Sequence, residues 1–137
     1  FNIERAALDW LMTMSLEKMY ERFPNLRIAS VENGSTFLPD LFRKLPQQKN
    51  KLMGWFKEDP LEQFKEHVWI NPFWEDDPSE VADYMGSDRV IFGSDWPHIE
   101  GMPTPLDYAD ELSSFDEHDR KLILHDNVLE LNTPRPT

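Results

Sequence analysis

The chain has 137 residues, enough for one domain with a core, and its 39% hydrophobic and 29% charged residues exclude a disordered chain. Its net charge of −12, from 26 acidic and 14 basic residues, would repel nucleic acid and anionic lipid, so we expect neither as a partner. It contains no cysteine, which excludes disulfides and thiolate metal sites, so any metal must use His, Asp or Glu.

The start of the chain gives two further expectations. Residue 1 is Phe rather than Met and opens directly on a helical pattern, which favours a fragment of a longer protein. Glu4 and Arg5 interrupt the first apolar stretch, so no signal peptide is predicted. No apolar run approaches the roughly 20 residues that cross a bilayer. We therefore expect a cytoplasmic protein.

The first third of the chain alternates between helix and strand. Apolar residues at helical spacing predict a helix over residues 3–23, which Pro24 ends. A short strand is predicted over residues 26–31, followed by a turn. A second helix is expected over residues 37–45, where Pro46 should break or bend it.

The same alternation continues to the end of the chain. In order, the remaining predicted elements are helix 60–66, strand 67–73, helix 79–85, strand 89–93, helix 104–115 and a helical hairpin over 116–125 and 127–131. Such alternation predicts an α/β fold with parallel strands. Because an eight-stranded barrel needs about 250 residues, the chain should supply only part of one, with the N-terminal part missing.

Polar residues directly follow each of the three predicted strands, namely Glu32, Asn71 and Asp95. In parallel α/β folds this carboxyl-terminal edge of the sheet carries the active site. A carboxylate there can bind a hard divalent ion or accept a proton from water. Asp95 could equally be a turn aspartate before Pro97, and the pattern alone leaves both interpretations open.

Two segments and one asparagine resemble the amidohydrolase-related family, which includes aminocarboxymuconate-semialdehyde decarboxylases. They are Phe-Pro-Asn-Leu-Arg-Ile at residues 23–28, Val-Ile-Phe-Gly-Ser-Asp-Trp-Pro-His at residues 90–98, and Asn127. The resemblance spans about residues 15–132. It implies that residues 1–137 form the C-terminal portion of a (β/α)8 TIM barrel, with its sixth to eighth strands. It also implies that Asp95 is a metal ligand and proton acceptor.

Glu32 departs from the family pattern, in which many members carry a histidine after the sixth strand. A glutamate could shuttle protons if burial raised its pKa, but it cannot act as a cationic electrophile. A purely structural turn carboxylate is the alternative. His98 could contact substrate or orient Asp95 through a hydrogen bond, and its alternative is packing on Trp96.

Several other polar and aromatic residues are expected to be structural. His67 begins a strand and Asn127 lies in the last helix, so both should support the fold. The aromatic residues Trp69, Phe73 and Trp74 could line a pocket, but packing is the preferred interpretation. Residues 75–77 are interpreted as a solvated acidic loop. No glycine-rich phosphate loop follows any strand, which disfavours a nucleotide-binding domain.

The resemblance leads to one functional hypothesis and one alternative. The hypothesis is the C-terminal part of a metal-dependent hydrolase or decarboxylase acting on a small carboxylated substrate, with zinc as the expected divalent metal. The family's His-x-His or Glu-x-His motif is absent from these residues, so the other ligands should lie outside the chain and the fragment should be inactive. A homo-oligomer is expected. The alternative is a non-catalytic barrel fragment that serves only in assembly through its open strand edges.

Overall fold

Two short parallel strands form the centre of this computed structural model, which describes residues 3–134, so both ends of the predicted 1–137 domain lie outside the described residues. Strand β1 (Ile28–Ser30) pairs with β2 (Val68–Ile70), and Ala29 lies opposite Trp69. A third segment joins β2 on its other side through a parallel bridge between Ile70 and Val90. The predicted parallel pairing is confirmed.

Eight α-helices are found among residues 3–134. In chain order they are α1 (Ile3–Leu16), α2 (Met19–Arg22), α3 (Leu38–Lys51), α4 (Pro60–His67), α5 (Pro78–Met85), α6 (Tyr108–Glu111), α7 (Glu117–Lys121) and α8 (Asn127–Asn132). None of the helices in this part of the chain is long and apolar enough to cross a membrane.

Helices α4 and α5 begin where the sequence predicts, because each carries an aspartate cap followed by proline at the first helical position. The Asp59 carboxylate accepts a hydrogen bond from the Leu61 N–H at 2.9 Å. The Asp77 carboxylate accepts one from the Ser79 N–H at 2.8 Å. These caps use backbone donors that have no partner within the helix.

The single first helix predicted over residues 3–23 is wrong, because Lys18 separates α1 from α2. Its backbone is left-handed, with φ 56° and ψ 37°. The Lys18 ammonium lies 4.0 Å from the centroid of the Trp55 ring and donates to the Trp55 carbonyl oxygen at 3.3 Å. This distant contact coincides with the break, and local sequence cannot reveal it.

Pro46 was predicted to break or bend the second helix, and the break is wrong, because α3 continues through it to Lys51. Proline removes one backbone donor from the helix and crowds the preceding turn. The fully buried side chains of Leu41 and Leu45 hold the turns before this proline against the core. Burial of this apolar face outweighs the local cost of proline.

The helix predicted over residues 104–115 is mostly replaced by shorter turns. A 3-10 turn covers Pro105–Asp107, and α6 adds one turn of helix after it. Backbone hydrogen bonds from Ser113 to Asp110 and from Phe115 to Leu112 then close two further tight turns. Only a fragment of the predicted helix therefore forms.

The predicted hairpin over residues 116–131 is wrong, because α7 and α8 are joined by a π turn at Leu122–Asp126 without reversing direction. In a π turn each N–H reaches back five residues, and here Asn127 donates to the Leu122 carbonyl. The Ile123 carbonyl instead accepts from the Phe92 N–H of the third strand segment at 3.2 Å. The π turn thus attaches this helix to the sheet.

The strands are shorter than predicted at residues 26–31, 67–73 and 89–93. Arg89 ends a 3-10 turn, and the third segment meets β2 through the Ile91 N–H, which donates to the Ile70 carbonyl at 2.9 Å. Val68, Trp69 and Ile70 are all fully buried, as expected for a strand covered on both faces. The core lies between this short sheet and the helices.

Candidate active site at the carboxyl ends of the strands

The loops that follow β1 and the third strand segment hold two site residues in unusual backbone conformations. Because the strands run parallel, these loops emerge at one edge of the sheet. Glu32 has φ 58° and Asp95 has φ 54°, and Lys18 is the one other non-glycine residue in the described chain with positive φ. A left-handed conformation costs an L-residue about 1–2 kcal/mol, and such strain is concentrated at functional sites.

A cavity of about 620 Å³ opens at this edge of the sheet. Its lining combines acidic side chains, aromatic rings and one histidine, and consists of Ile3, Glu32, Phe73, Trp74, Glu75, Asp76, Gly93, Asp95, His98 and Glu100. All three residues predicted for the site, Glu32, Asp95 and His98, are brought together here. The volume suits a small molecule.

Asp95 and His98 form a close pair. The Asp95 side chain is 14% exposed, the His98 side chain is 69% exposed, and 2.6 Å separates His98 Nδ1 from Asp95 Oδ1. A backbone turn supports the pair, since the His98 N–H donates to the Asp95 carbonyl at 2.9 Å. His98 is thus placed to orient Asp95.

The loop carrying this pair is tightly closed. The Met102 N–H donates to the Ser94 carbonyl at 2.7 Å, and the Trp96–Pro97 peptide is cis. At Gly101 an added Cβ would lie 2.5 Å from the Asp95 carbonyl oxygen, so glycine is required there. The loop therefore presents Asp95 from a defined backbone.

Glu32 reaches the same cavity from the end of β1. Partial burial is the main cause that raises the pKa of its carboxyl above the usual value, and the neighbouring Asp95 carboxylate raises it further. The neighbouring His98 acts to lower the pKa of Glu32. A carboxyl with a raised pKa exchanges protons closer to neutral pH, as a general acid or base requires.

Asp95, His98 and Glu100 could contribute ligands to a metal. One ligand atom from each lies within 4.8 Å of the others. The 2.6 Å contact, however, is a hydrogen-bond distance, which makes His98 a partner of Asp95 rather than an adjacent ligand. The geometry therefore fits Asp95 as one oxygen ligand and His98 as its support.

Asn71, the third residue predicted at a strand end, is 2% exposed and lies against Gly93. Its amide Nδ2 donates to the carbonyls of Pro72 at 3.1 Å and Ile91 at 3.3 Å. An added Cβ at Gly93, which lines the cavity, would lie 2.8 Å from the Asn71 amide. Asn71 thus braces the loop that leads to the site.

The aromatic residues of this region divide into two groups. Trp69 is buried in the core with the Arg89 guanidinium 4.7 Å from its ring centroid, so the packing interpretation is confirmed for it. Phe73 and Trp74 instead line the cavity, so their pocket interpretation is the better one. The Trp74 indole N–H also donates to the Glu100 carbonyl at 2.9 Å, which ties the two loops together.

Three acidic lining residues were missed as site residues by sequence reasoning. Glu75 and Asp76 belong to the loop interpreted as merely solvated, and Asp76 accepts hydrogen bonds from the Ser35 hydroxyl at 2.9 Å and the Phe73 N–H at 3.1 Å. Glu100 follows His98 by two residues, and this His-x-Glu spacing was the available signal.

The remaining residues expected to be structural are placed accordingly. His67 is buried, stacks on Tyr20 with ring centroids 5.0 Å apart, and contacts the Leu26 carbonyl through Nδ1 at 2.6 Å. The Asn127 amide donates to the carbonyls of Ser87 and Val90, both at 2.7 Å. Neither residue faces the cavity.

Comparison with known proteins gives two matches. A family model described as amidohydrolase matches residues 3–131. A crystal structure of an amidohydrolase from Mycobacterium avium subsp. paratuberculosis is similar, with 41% sequence identity and a TM-score of 0.90. The match covers 93% of this chain and 33% of that one, so the chain spans about a third of that protein's length. No curated protein matches the chain.

Proposed function

The chain belongs to the amidohydrolase family, and from this premise we propose that it is the C-terminal part of a metal-dependent hydrolase or decarboxylase acting on a small carboxylated substrate. The observation that carries the proposal is the meeting of Glu32, Asp95 and His98 at one cavity beyond the ends of the strands. Active sites of parallel barrels lie at this edge.

Within a (β/α)8 barrel, β1, β2 and the segment at Val90 would be the sixth, seventh and eighth strands. Support comes from their parallel order and from the length of the chain, a third of that of its solved relative. The rest of the barrel would then close the cavity and supply further metal ligands. Since one carboxylate cannot hold a catalytic metal, we propose that the isolated 137-residue chain is inactive.

Asp95 is the residue of this chain that would hold the metal, with zinc as the proposed ion. When bound, the metal would supply Lewis-acid polarisation of the substrate's carbonyl or carboxylate group. The second oxygen of Asp95 can accept a proton, and His98 holds the carboxylate in position. Glu32, with its raised pKa, can deliver or remove a second proton across the cavity.

Hydrolysis and decarboxylation place the same demand on these residues. In hydrolysis Asp95 takes a proton from the attacking water and passes it to the leaving group. In decarboxylation a protonated carboxyl returns its proton to the carbon that loses carbon dioxide. Both routes need a carboxyl that gains and releases one proton in each turnover.

The test uses the full-length protein with Asp95→Ala and, as a matched control, Asp83→Ala, which changes an exposed aspartate outside the cavity. We expect Asp95→Ala to lose bound metal, measured by elemental analysis, and to lose turnover of small carboxylic acids and amides. The Asp83 variant should keep both. Unchanged metal content and turnover in Asp95→Ala would overturn the role proposed for Asp95. A full-length wild type without bound metal or turnover would favour the non-catalytic assembly role.

A further inference from the structure

The loop of residues 94–102, which presents Asp95 to the cavity, is closed mainly by its own backbone hydrogen bonds. Within residues 3–134, a single hydrogen bond joins this loop to another part of the chain. In that bond the Trp74 indole N–H donates to the Glu100 carbonyl at 2.9 Å. The C-terminal end of the loop is also anchored, because Met102 is buried in the core. The rest of the loop therefore depends on Trp74 for its support from outside.

The support from Trp74 reaches Asp95 through the backbone. Glu100 precedes Gly101, where an added Cβ would lie 2.5 Å from the Asp95 carbonyl oxygen, so these two stretches of backbone are in direct contact. Asp95 itself has φ 54°. A strained conformation of this kind persists only where the surrounding structure enforces it. The hydrogen bond from Trp74 supplies such a constraint.

Trp74 is held in turn by a tight turn after β2. The Asp76 N–H donates to the Phe73 carbonyl at 3.0 Å, and the Asp76 carboxylate accepts from the Phe73 N–H at 3.1 Å. The same carboxylate oxygen accepts from the Ser35 hydroxyl at 2.9 Å, and Ser35 lies in the loop after β1. Hydrogen bonds thus connect the loops that follow all three strand segments.

A second tryptophan makes the same kind of bond away from the cavity. The Trp55 indole N–H donates to the Leu16 carbonyl at 3.0 Å, at the end of α1. Both indoles therefore link distant parts of the chain through one backbone carbonyl. Only the bond from Trp74 meets a loop that carries a predicted site residue, so the two bonds have comparable geometry and different consequences.

We propose that Trp74 is a positioning residue, which holds Asp95 in place through the Glu100 carbonyl, and that Asp76 supports it from the loop after β1. This inference rests on the proposed function, since it takes Asp95 as the metal ligand. Residues that orient a metal ligand typically contribute at least about tenfold to metal affinity. Trp74 therefore contributes to metal binding without coordinating the metal.

The first experiment compares hydrogen–deuterium exchange in full-length wild type, Trp74→Phe and Trp55→Phe. Phenylalanine keeps an aromatic ring and removes the N–H donor. The amides of Gly101 and Met102, which are hydrogen-bonded within the loop, should exchange about fivefold faster in Trp74→Phe, since one hydrogen bond contributes about that factor. Their exchange should be unchanged in Trp55→Phe. Unchanged exchange in Trp74→Phe would overturn the proposal.

The second experiment titrates zinc into the same three proteins after metal removal, in competition with a chelating dye. Trp74→Phe should bind zinc about tenfold more weakly, and Trp55→Phe should bind it like wild type. Faster exchange with unchanged zinc affinity would make Trp74 a support of the loop alone and overturn its positioning role. A wild type that binds no zinc would overturn the proposed metal role of Asp95, and the exchange rates would still decide whether Trp74 fixes the loop.

Two variants of Asp76 separate hydrogen bonding from charge. Asp76→Ala removes the acceptor for Ser35 and Phe73 and should change exchange and zinc affinity in the same direction as Trp74→Phe, by a smaller factor. Asp76→Asn keeps a carbonyl oxygen that can accept both bonds, so it should restore the wild-type values. Equal losses in Asp76→Ala and Asp76→Asn, or no loss in either, would contradict the role proposed for Asp76.

Discussion

Two histidines at opposite ends of the short sheet have opposite surroundings. His67, before the start of β2, is 3% exposed, stacked on Tyr20 and bonded to the Leu26 carbonyl. His98, beyond the end of the third strand segment, has a side chain that is 69% exposed and contacts Asp95 in an open cavity. His67, at a strand start, is bonded within the fold, whereas His98, at a strand end, is left available for a ligand.

The same difference extends to the backbone. Glu32 and Asp95, at the strand ends, hold left-handed conformations that an L-residue adopts at a cost. The N-cap aspartates of α4 and α5, in contrast, stabilise their helices. Substitutions at residues bonded within the fold, such as His67 and Asp59, should therefore change stability, and those at Glu32 and His98 should change chemistry.

The largest expected effect is that of His67→Ala in the full-length protein. Loss of the stacked ring and of the partner to the Leu26 carbonyl should lower the free energy of unfolding by about 3 kcal/mol. Chemical denaturation measures it, with His67→Phe as the control that keeps the ring and loses the hydrogen bond. A change below about 0.5 kcal/mol is usual for surface sites and would contradict the structural role of His67.

Glu32→Gly should act in opposite directions on stability and activity. Glycine removes the left-handed strain and should raise the free energy of unfolding by about 1 kcal/mol. Loss of a proton-transfer group should lower turnover about a hundredfold. Lys18→Gly is the matched control, since Lys18 has φ 56° and lies at the junction of α1 and α2. If Glu32→Gly retains turnover, Glu32 has only a structural role in the turn after β1.

His98→Ala should leave the free energy of unfolding nearly unchanged, because the side chain is exposed. Turnover should fall at least about tenfold, since a residue that orients a metal ligand typically contributes that much. Steady-state kinetics and denaturation on the same preparation measure both. A loss of stability without a loss of turnover would place His98 with His67 among the structural residues.

Asp59→Ala tests an acid that is paired within the fold. Burial alone would raise its pKa, but the Lys49 ammonium and the Leu61 N–H outweigh burial and lower the pKa below its usual value. Loss of this cap should cost about 1 kcal/mol at neutral pH. Because the folded pKa is depressed, the contribution is complete above the unfolded value of about 3.9 and is lost as pH falls through the folded pKa.

Denaturation of wild type and Asp59→Ala between neutral and acidic pH measures this dependence. The free energies of unfolding of the two proteins should differ at pH 7 and become equal in acid. A difference that is constant down to the lowest pH would show that the Asp59 carboxylate is not stabilised by its pairing.

Local signals allowed the sequence to predict some elements well. Aspartate followed by proline marks the starts of α4 and α5, because the cap and the fixed φ of proline act within a few residues. The π turn could not be predicted, since it depends on a hydrogen bond between Ile123 and the distant Phe92. The break predicted at Pro46 does not occur, because the free-energy cost of proline in the helix is smaller than the gain from burying the apolar face of that helix.

The site was predictable in its outline and not in its detail. Polar residues after parallel strands must meet at one edge, so the convergence of Glu32 and Asp95 followed from their positions. Glu100 was missed because the loop after Asp95 folds back on itself, and no periodicity reports such a turn. The chemical role of Asp95 stays a prediction from the resemblance.

The most direct test of that role is the anomalous scattering of the bound metal in crystals of the active full-length protein. The account predicts a metal peak about 2.0–2.2 Å from an Asp95 carboxylate oxygen, with His98 still hydrogen-bonded to the same side chain. A metal peak in active protein that lies away from Asp95 would contradict the assignment of the cavity as the catalytic site.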